Sequence, residues 1–173
     1  MTRKKMAKFD MKVIGHAPNL PFRVAASATR AYCGEPMIVA PTYTSGVSDV
    51  NTIVVGTDTL PALGTDQFVG ILARDMLVDS AGTVTAHRSL VTVPRANETR
   101  IRAKVLTAST ADTETEAIGL LFDIYMWDLT GSTYTWQPGG ADTKGFTARW
   151  YNYVTSRLDC VADARVLTRV VIS

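Results

Sequence analysis

A chain of 173 residues suits one domain of ordinary size, and its 46% hydrophobic and 20% charged residues match a folded globular protein, not a disordered or membrane-embedded one. A core of this size needs no disulfide or metal staple. The net charge of +2 hides an asymmetry: residues 1–12 hold Arg3, Lys4, Lys5, Lys8 and Lys12 against Asp10 alone, while the remainder holds 13 basic and 15 acidic groups.

In chain order, the opening stretch reads as an extended basic arm over residues 1–20. A single β domain follows over 21–173, with a barrel-like part over 21–110 and a β extension over 111–173. No apolar stretch with a small-residue cleavage site follows the basic residues, so synthesis in the cytoplasm without a signal peptide is expected. Pro21 to Ala31 has room for a short helix, though it lacks a good cap and an apolar stripe together. Asn51–Val55 and Gln67–Ala73 read as largely buried strands. Ser89–Val93 alternates, and so does Thr99–Leu106, where Ile101, Ala103 and Val105 oppose Arg100, Arg102 and Lys104; that is the rhythm of a sheet with one dry and one wet side.

Turn signals separate these runs, at Ser45-Gly46, at 79–82, at 94–97, at 130–132 and at 138–140. Asp128 to Trp136 reads as a hairpin, with Tyr134 and Trp136 sharing a face of its return strand. Asn152 to Ala164 has room for a second short helix, and residues 165–172 for a last strand. The 18 Val, 8 Ile and 23 Thr are stiff at χ1 and fit a pleated surface. Together these features predict an all-β fold, a small antiparallel barrel or sandwich with an extended N-terminal arm and a C-terminal β extension.

Chemistry-bearing motifs are scarce. His16 and His87 lack a Cys, His or carboxylate at ligand spacing, so no metal site is expected. No Gly-x-Ser-x-Gly, phosphate loop or Cys–His motif occurs, so no catalytic residue, no cofactor and no enzyme activity are expected. Asp112, Glu114 and Glu116 alternate along a polar connector and read as a solvated edge. Cys33 and Cys160 read as ordinary buried thiols, with a single disulfide as the alternative.

Two features read as binding surfaces. The arm residues Arg3, Lys4, Lys5 and Lys8 suit an acidic neighbouring subunit; with Phe9 the only ring in the first 20 residues, nucleic acid is not the expected partner. Nine of the fourteen aromatics fall in the C-terminal third, from Phe122 to Tyr153. Within it, Phe146, Arg149, Trp150, Tyr151 and Tyr153 form the aromatic and arginine mixture of an interface hot spot. No membrane partner is expected, since no run approaches the length of a membrane span.

Three segments between Tyr32 and Ala108 carry a resemblance: Gly34-Glu35-Pro36-Met37-Ile38-Val39, then Thr65-Asp66-Gln67-Phe68-Val69-Gly70-Ile71-Leu72-Ala73, then Ala81-Gly82-Thr83-Val84. In this layout the chain resembles the head decoration, or capsid cement, proteins of tailed bacteriophages. It departs from them in a longer C-terminal segment, Glu116 to Ser173. The resemblance implies a structural virion protein on the outer surface of an icosahedral capsid, with the major capsid protein and copies of itself, as a trimer, for partners. Other expectations remain open: a minor capsid or head–tail joining protein, or a carbohydrate-binding β-sandwich with Trp127, Trp136 and Trp150 as a stacking platform.

Overall fold

The structure is a computed structural model, and it describes residues 11–24, 33–39, 52–55, 68–75, 88–105, 124–130, 133–138, 145–152 and 154–163. The described residues form eleven strands and no helix. In chain order these are β1 (Lys12–Ile14), β2 (Asn19–Val24), β3 (Pro36–Val39), β4 (Thr52–Val55), β5 (Phe68–Leu72), β6 (Arg88–Thr92), β7 (Arg100–Val105), β8 (Ile124–Thr130), β9 (Thr133–Pro138), β10 (Phe146–Asn152) and β11 (Arg157–Ala162). The all-β class predicted from composition and alternation is the class observed.

Strands β2 to β6 form a closed barrel in the order β2-β4-β3-β5-β6. Its neighbours are antiparallel except β2 and β4, which run parallel. The seams differ in length. β2 meets β6 over five register pairs, from Asn19 opposite Thr92 to Arg23 opposite Arg88, whereas β5 meets β6 only at Ile71–Thr92 and Leu72–Val91. Main-chain bonds lengthen these seams: Ala73 N–H donates to Leu90 O and Val93 N–H to Pro18 O, each at 2.9 Å.

Gly70 is what lets β5 lie so close to β6. A Cβ there would overlap the Thr92 carbonyl oxygen and sit 2.8 Å from Val91 Cγ1. The obstacle is backbone, so relief requires the seam to part. Gly70→Ala is therefore expected to destabilise the fold by about 1–3 kcal/mol, read as a lower urea midpoint. A midpoint equal to wild type would mean that the seam opens at no cost.

The second sheet has the order β1-β7-β11-β10-β8-β9, and β9 also pairs in parallel with β7 at Lys104–Thr135 and Val105–Trp136. β1 and β9 thus share one edge of β7, since β1 occupies it at residues 100–102. The burial of β7 follows its sequence alternation: Ile101, Ala103 and Val105 are buried, while Arg100 and Lys104 are exposed and Arg102 is half-buried.

Both sheets pack on one core. Ile38, Phe68 and Ile71 of the barrel meet Met11, Ile101, Ala103, Val105, Tyr134, Trp136, Phe146, Ala148, Leu158, Cys160 and Ala162 of the second sheet. Phe146 is the hinge of this contact, with Phe68 edge-on at 5.2 Å and Trp136 tilted at 5.0 Å. Aromatic pairs at such distances add about 0.5–1.5 kcal/mol beyond their area.

Several boundaries differ from the expectations. The arm over 1–20 does not extend that far: Met11 is buried, β1 pairs with β7, and β2 begins at Asn19. The division at residue 110 falls elsewhere, because β7 leaves the barrel and joins the later strands, as does β1. Residues 21–24 are strand, not helix, and the second helix expected over 152–164 is a turn at 154–156 followed by β11. The strand expected over 165–172 lies outside the described residues.

Candidate partner-binding surface

The outward face of β1, β7, β11 and β10 follows directly from the register, because directly opposed residues project to the same side. One row crosses the sheet as Lys12, Arg102, Asp159 and Trp150. The row toward the other end is Ile14, Arg100, Val161 and Thr147, and a third holds Lys104, Arg157 and Asn152. The inward side of these strands is the core; on the outward side Lys12, Arg100, Lys104 and Trp150 are exposed, whereas Asp159 and Val161 are buried.

Asp159 sits at the centre of this face with 0% of its surface exposed. A buried carboxylate is tolerated only when paired and hydrogen-bonded. Here the Arg102 guanidinium grips it with two bonds, Nε to Oδ1 at 2.6 Å and Nη2 to Oδ2 at 3.0 Å, and Arg100 Nη1 stands 3.5 Å from Oδ2. This fork matches the carboxylate plane, which a lysine would not do. The bonds to Asp159 raise the Arg102 pKa further, so its charge is permanent over any working pH. The other side of the guanidinium lies 4.9 Å from the centre of the Trp150 ring, a cation–π stack.

A β-bulge aims the ring outward. The β10–β11 register shifts between Ala148 and Trp150, so Arg149 is the extra residue. Arg149 and Trp150 are consequently both exposed, although strict alternation would send one of them inward. The hairpin then turns without glycine or proline: Thr155 N–H donates to Asn152 Oδ1 at 3.0 Å, and Ser156 takes a left-handed φ of 50°. Val154, at the turn, is 77% exposed and Trp150 is 40% exposed; they are the exposed large hydrophobics among the described residues.

The residues expected to bind a partner are thus divided. Arg149 and Trp150 are on the surface together. Phe146 is not a surface residue: it is fully buried between Phe68 and Trp136, because its position before the bulge points into the core. Tyr151 is half-buried and packs against the core cluster, the bulge having turned it to the inner side. Arg3, Lys4, Lys5, Lys8 and Tyr153 lie outside the described residues. Lys12, Arg100, Arg102 and Asp159 were not among the residues expected to form a site. The alternating arginines of β7 carried that signal, but their shared partner lies on a strand 57 residues away.

The expected three-tryptophan stacking platform is not assembled. Trp136 is fully buried and its Nε1–H donates to Leu158 O at 3.0 Å; the Trp127 side chain lies outside the described residues. His16 is exposed, and His87, Asp112, Glu114 and Glu116 lie outside the described residues. Among the described residues no group of three His, Cys, Asp or Glu is placed to hold a metal ion.

The two cysteines are separate free thiols, and only Cys160 is buried, correcting the expectation of two buried ones. Burial first, and the Asp159 charge second, push the Cys160 thiol well above its usual range. Burial and then Asp75 also raise Cys33, more mildly. Native protein at pH 8 is expected to react with a maleimide at Cys33 alone, and at both thiols after unfolding. Rapid labelling of two thiols in the native state would contradict the packing of β11.

Comparison with known proteins finds no matching family model, and no significant match among curated proteins or solved structures.

Proposed function

We propose that this protein is a structural virion protein that binds the outer surface of an icosahedral phage capsid and stabilises the shell. The observation that supports the reading is the Asp159–Arg102–Trp150 stack, a preorganised outward surface on a sheet whose other side is core. Such a face presents area to another protein without first having to be ordered, which is where much of the cost of association falls. The resemblance of its three segments to decoration proteins supplies the shell as the partner.

The mechanism is linkage. A protein that binds the assembled shell and not its separated subunits stabilises the assembled state by mass action. Repetition over a lattice then multiplies a modest contact made by each copy.

The experiment is to incubate the purified protein with shells of the virus that encodes it. Copies per shell are counted by quantitative mass spectrometry, and shell melting is followed with and without the protein. Lattice-wide occupancy with a raised melting temperature is the expected result. A few copies per particle would indicate a joining or minor capsid protein instead, and no binding would sink the proposal.

A further inference from the structure

We infer that the outward face of β1, β7, β11 and β10 is the docking surface, with Trp150 as its anchor, and that it takes a carboxylate-rich surface of the partner protein. The inference deepens the shell-binding reading and rests on it for the identity of the partner, but not for the chemistry.

The charge follows from the register. Arg100 and Arg102 set two positive charges against the one of Asp159, leaving +1; exposed Lys12 and Arg149 raise this to +3. The negative member of this cluster is the one with no exposed surface, so a partner meets its arginines and not its carboxylate. Lys104 and Arg157 extend the same face along β7 and β11. A complementary partner surface is therefore acidic, and attraction between the two speeds encounter and fixes orientation.

The apolar members decide between an acidic protein and a nucleic acid. Trp150 and Val154 both belong to the β10–β11 hairpin, beside Arg149. Half-buried Ile14 lies directly opposite Arg100. A tryptophan and arginines bordered by aliphatic side chains is the composition of a protein interface centre. Single-strand binders instead present successive rings, and nucleic-acid domains commonly exceed a pI of about 9; among the described residues this face has one exposed ring, and the pI is 8.6.

The size of the face sets its strength. Three strand spacings of about 4.8 Å and four residues of about 3.3 Å rise give roughly 14 by 13 Å between outer positions. With side chains the area is on the order of 400 Å², about half of the ~800 Å² per partner in a standard interface. One copy alone is thus a weak binder. Dense occupancy has to come from repetition on a lattice or from further contacts made by the basic residues that precede β1.

The bulge and the buried carboxylate have a role in this. Arg102 is held in the plane of Asp159, and Trp150 is stacked on Arg102, so the anchor loses little rotamer freedom on docking. Asp159 is a positioning residue here; the partner would touch Trp150, Arg149 and Lys12.

The test uses two variants outside the Asp159–Arg100–Arg102 cluster, each checked for a wild-type melting temperature. Binding is measured to purified shells, to a ten-residue polyglutamate peptide and to a ten-nucleotide oligothymidylate. Trp150→Ala is expected to weaken shell binding at least about tenfold with the salt dependence unchanged. Lys12→Gln with Arg149→Gln is expected to weaken it and to flatten the salt dependence.

Wild-type binding to shells that both variants retain would overturn this face while leaving the shell reading intact. Binding to the peptide that requires Trp150 and Arg149, without binding to shells, would keep the face and remove the shell. Oligothymidylate bound more tightly than the peptide through these residues would overturn the acidic-protein partner in favour of nucleic acid. Binding to none of the three would overturn both proposals.

Discussion

Asp159→Ala is expected to lower the free energy of unfolding by about 3 kcal/mol. Removing one partner of a buried ion pair strands the other charge, which typically costs about 3–5 kcal/mol. The lower end applies because Arg102 and Arg100 keep 28% and 45% of their side-chain surface in water, so the orphaned guanidinium groups are partly solvated. Urea unfolding with an unchanged slope measures it. A loss under about 1 kcal/mol would place the cluster among ordinary surface ion pairs. The double variant Asp159→Leu with Arg102→Leu separates pairing from packing. It is expected to recover most of the loss, since apolar side chains of similar volume replace such pairs at little cost.

Trp136→Ala is expected to cost more, about 3–5 kcal/mol. The indole is fully buried, packs 5.0 Å from Phe146 and donates its N–H to Leu158 O. It joins β9 to β11 through that bond while its strand closes against β7 at Val105. Against a typical total of about 5–15 kcal/mol, the loss leaves a marginal fold. Trp136→Phe keeps most of the volume but leaves the Leu158 carbonyl without its indole donor, at about 1–3 kcal/mol. Near-ultraviolet circular dichroism and urea midpoints report both. A midpoint unchanged in Trp136→Ala would show that the sheets do not share the core through this ring.

Strands of both sheets were legible where local alternation and burial agree. β7 reads correctly residue by residue, because its arginines and lysine alternate with core side chains. β5 reads as a buried strand because nothing in Phe68–Leu72 is polar, and all five residues are buried. The β8–β9 hairpin reads from Gly131-Ser132 between strand formers, and its closing pair is Thr130 opposite Thr133.

The elements that were missed have physical reasons in particular residues. β1 is three residues long and its partner lies some ninety positions away, so no local pattern marks it. Pro21 to Ala31 read as room for a short helix, yet Pro21 lies in β2; β4 meets β2 only at Arg23 and Val24, and a proline is tolerated in a strand where one edge has less to satisfy. The turn after β10 is built from Asn152, Thr155 and Ser156, with no glycine or proline to announce it, so the stretch read as helix. The bulge at Arg149 breaks the alternation and places Tyr151 on the inner side. Asp159 has the reverse problem: it sits in β11 at an outward position but is covered by arginines of another strand.

The candidate face was therefore half legible. Arg149 and Trp150 stand out by composition, whereas the cluster that fixes them is a product of register between β7, β11 and β10. Pairing that distant in sequence is decided by the closed sheet and its shared core, not by any local preference.

Hydroxyl-radical footprinting of the protein free and bound to shells bears most directly on the central claim, that a rigid β scaffold works through this one outward face. Oxidation of Trp150 should fall about tenfold or more on binding, with Val154 protected alongside it and the buried Trp136 unreactive in both states. Trp150 labelled equally in the free and the shell-bound protein would contradict the account.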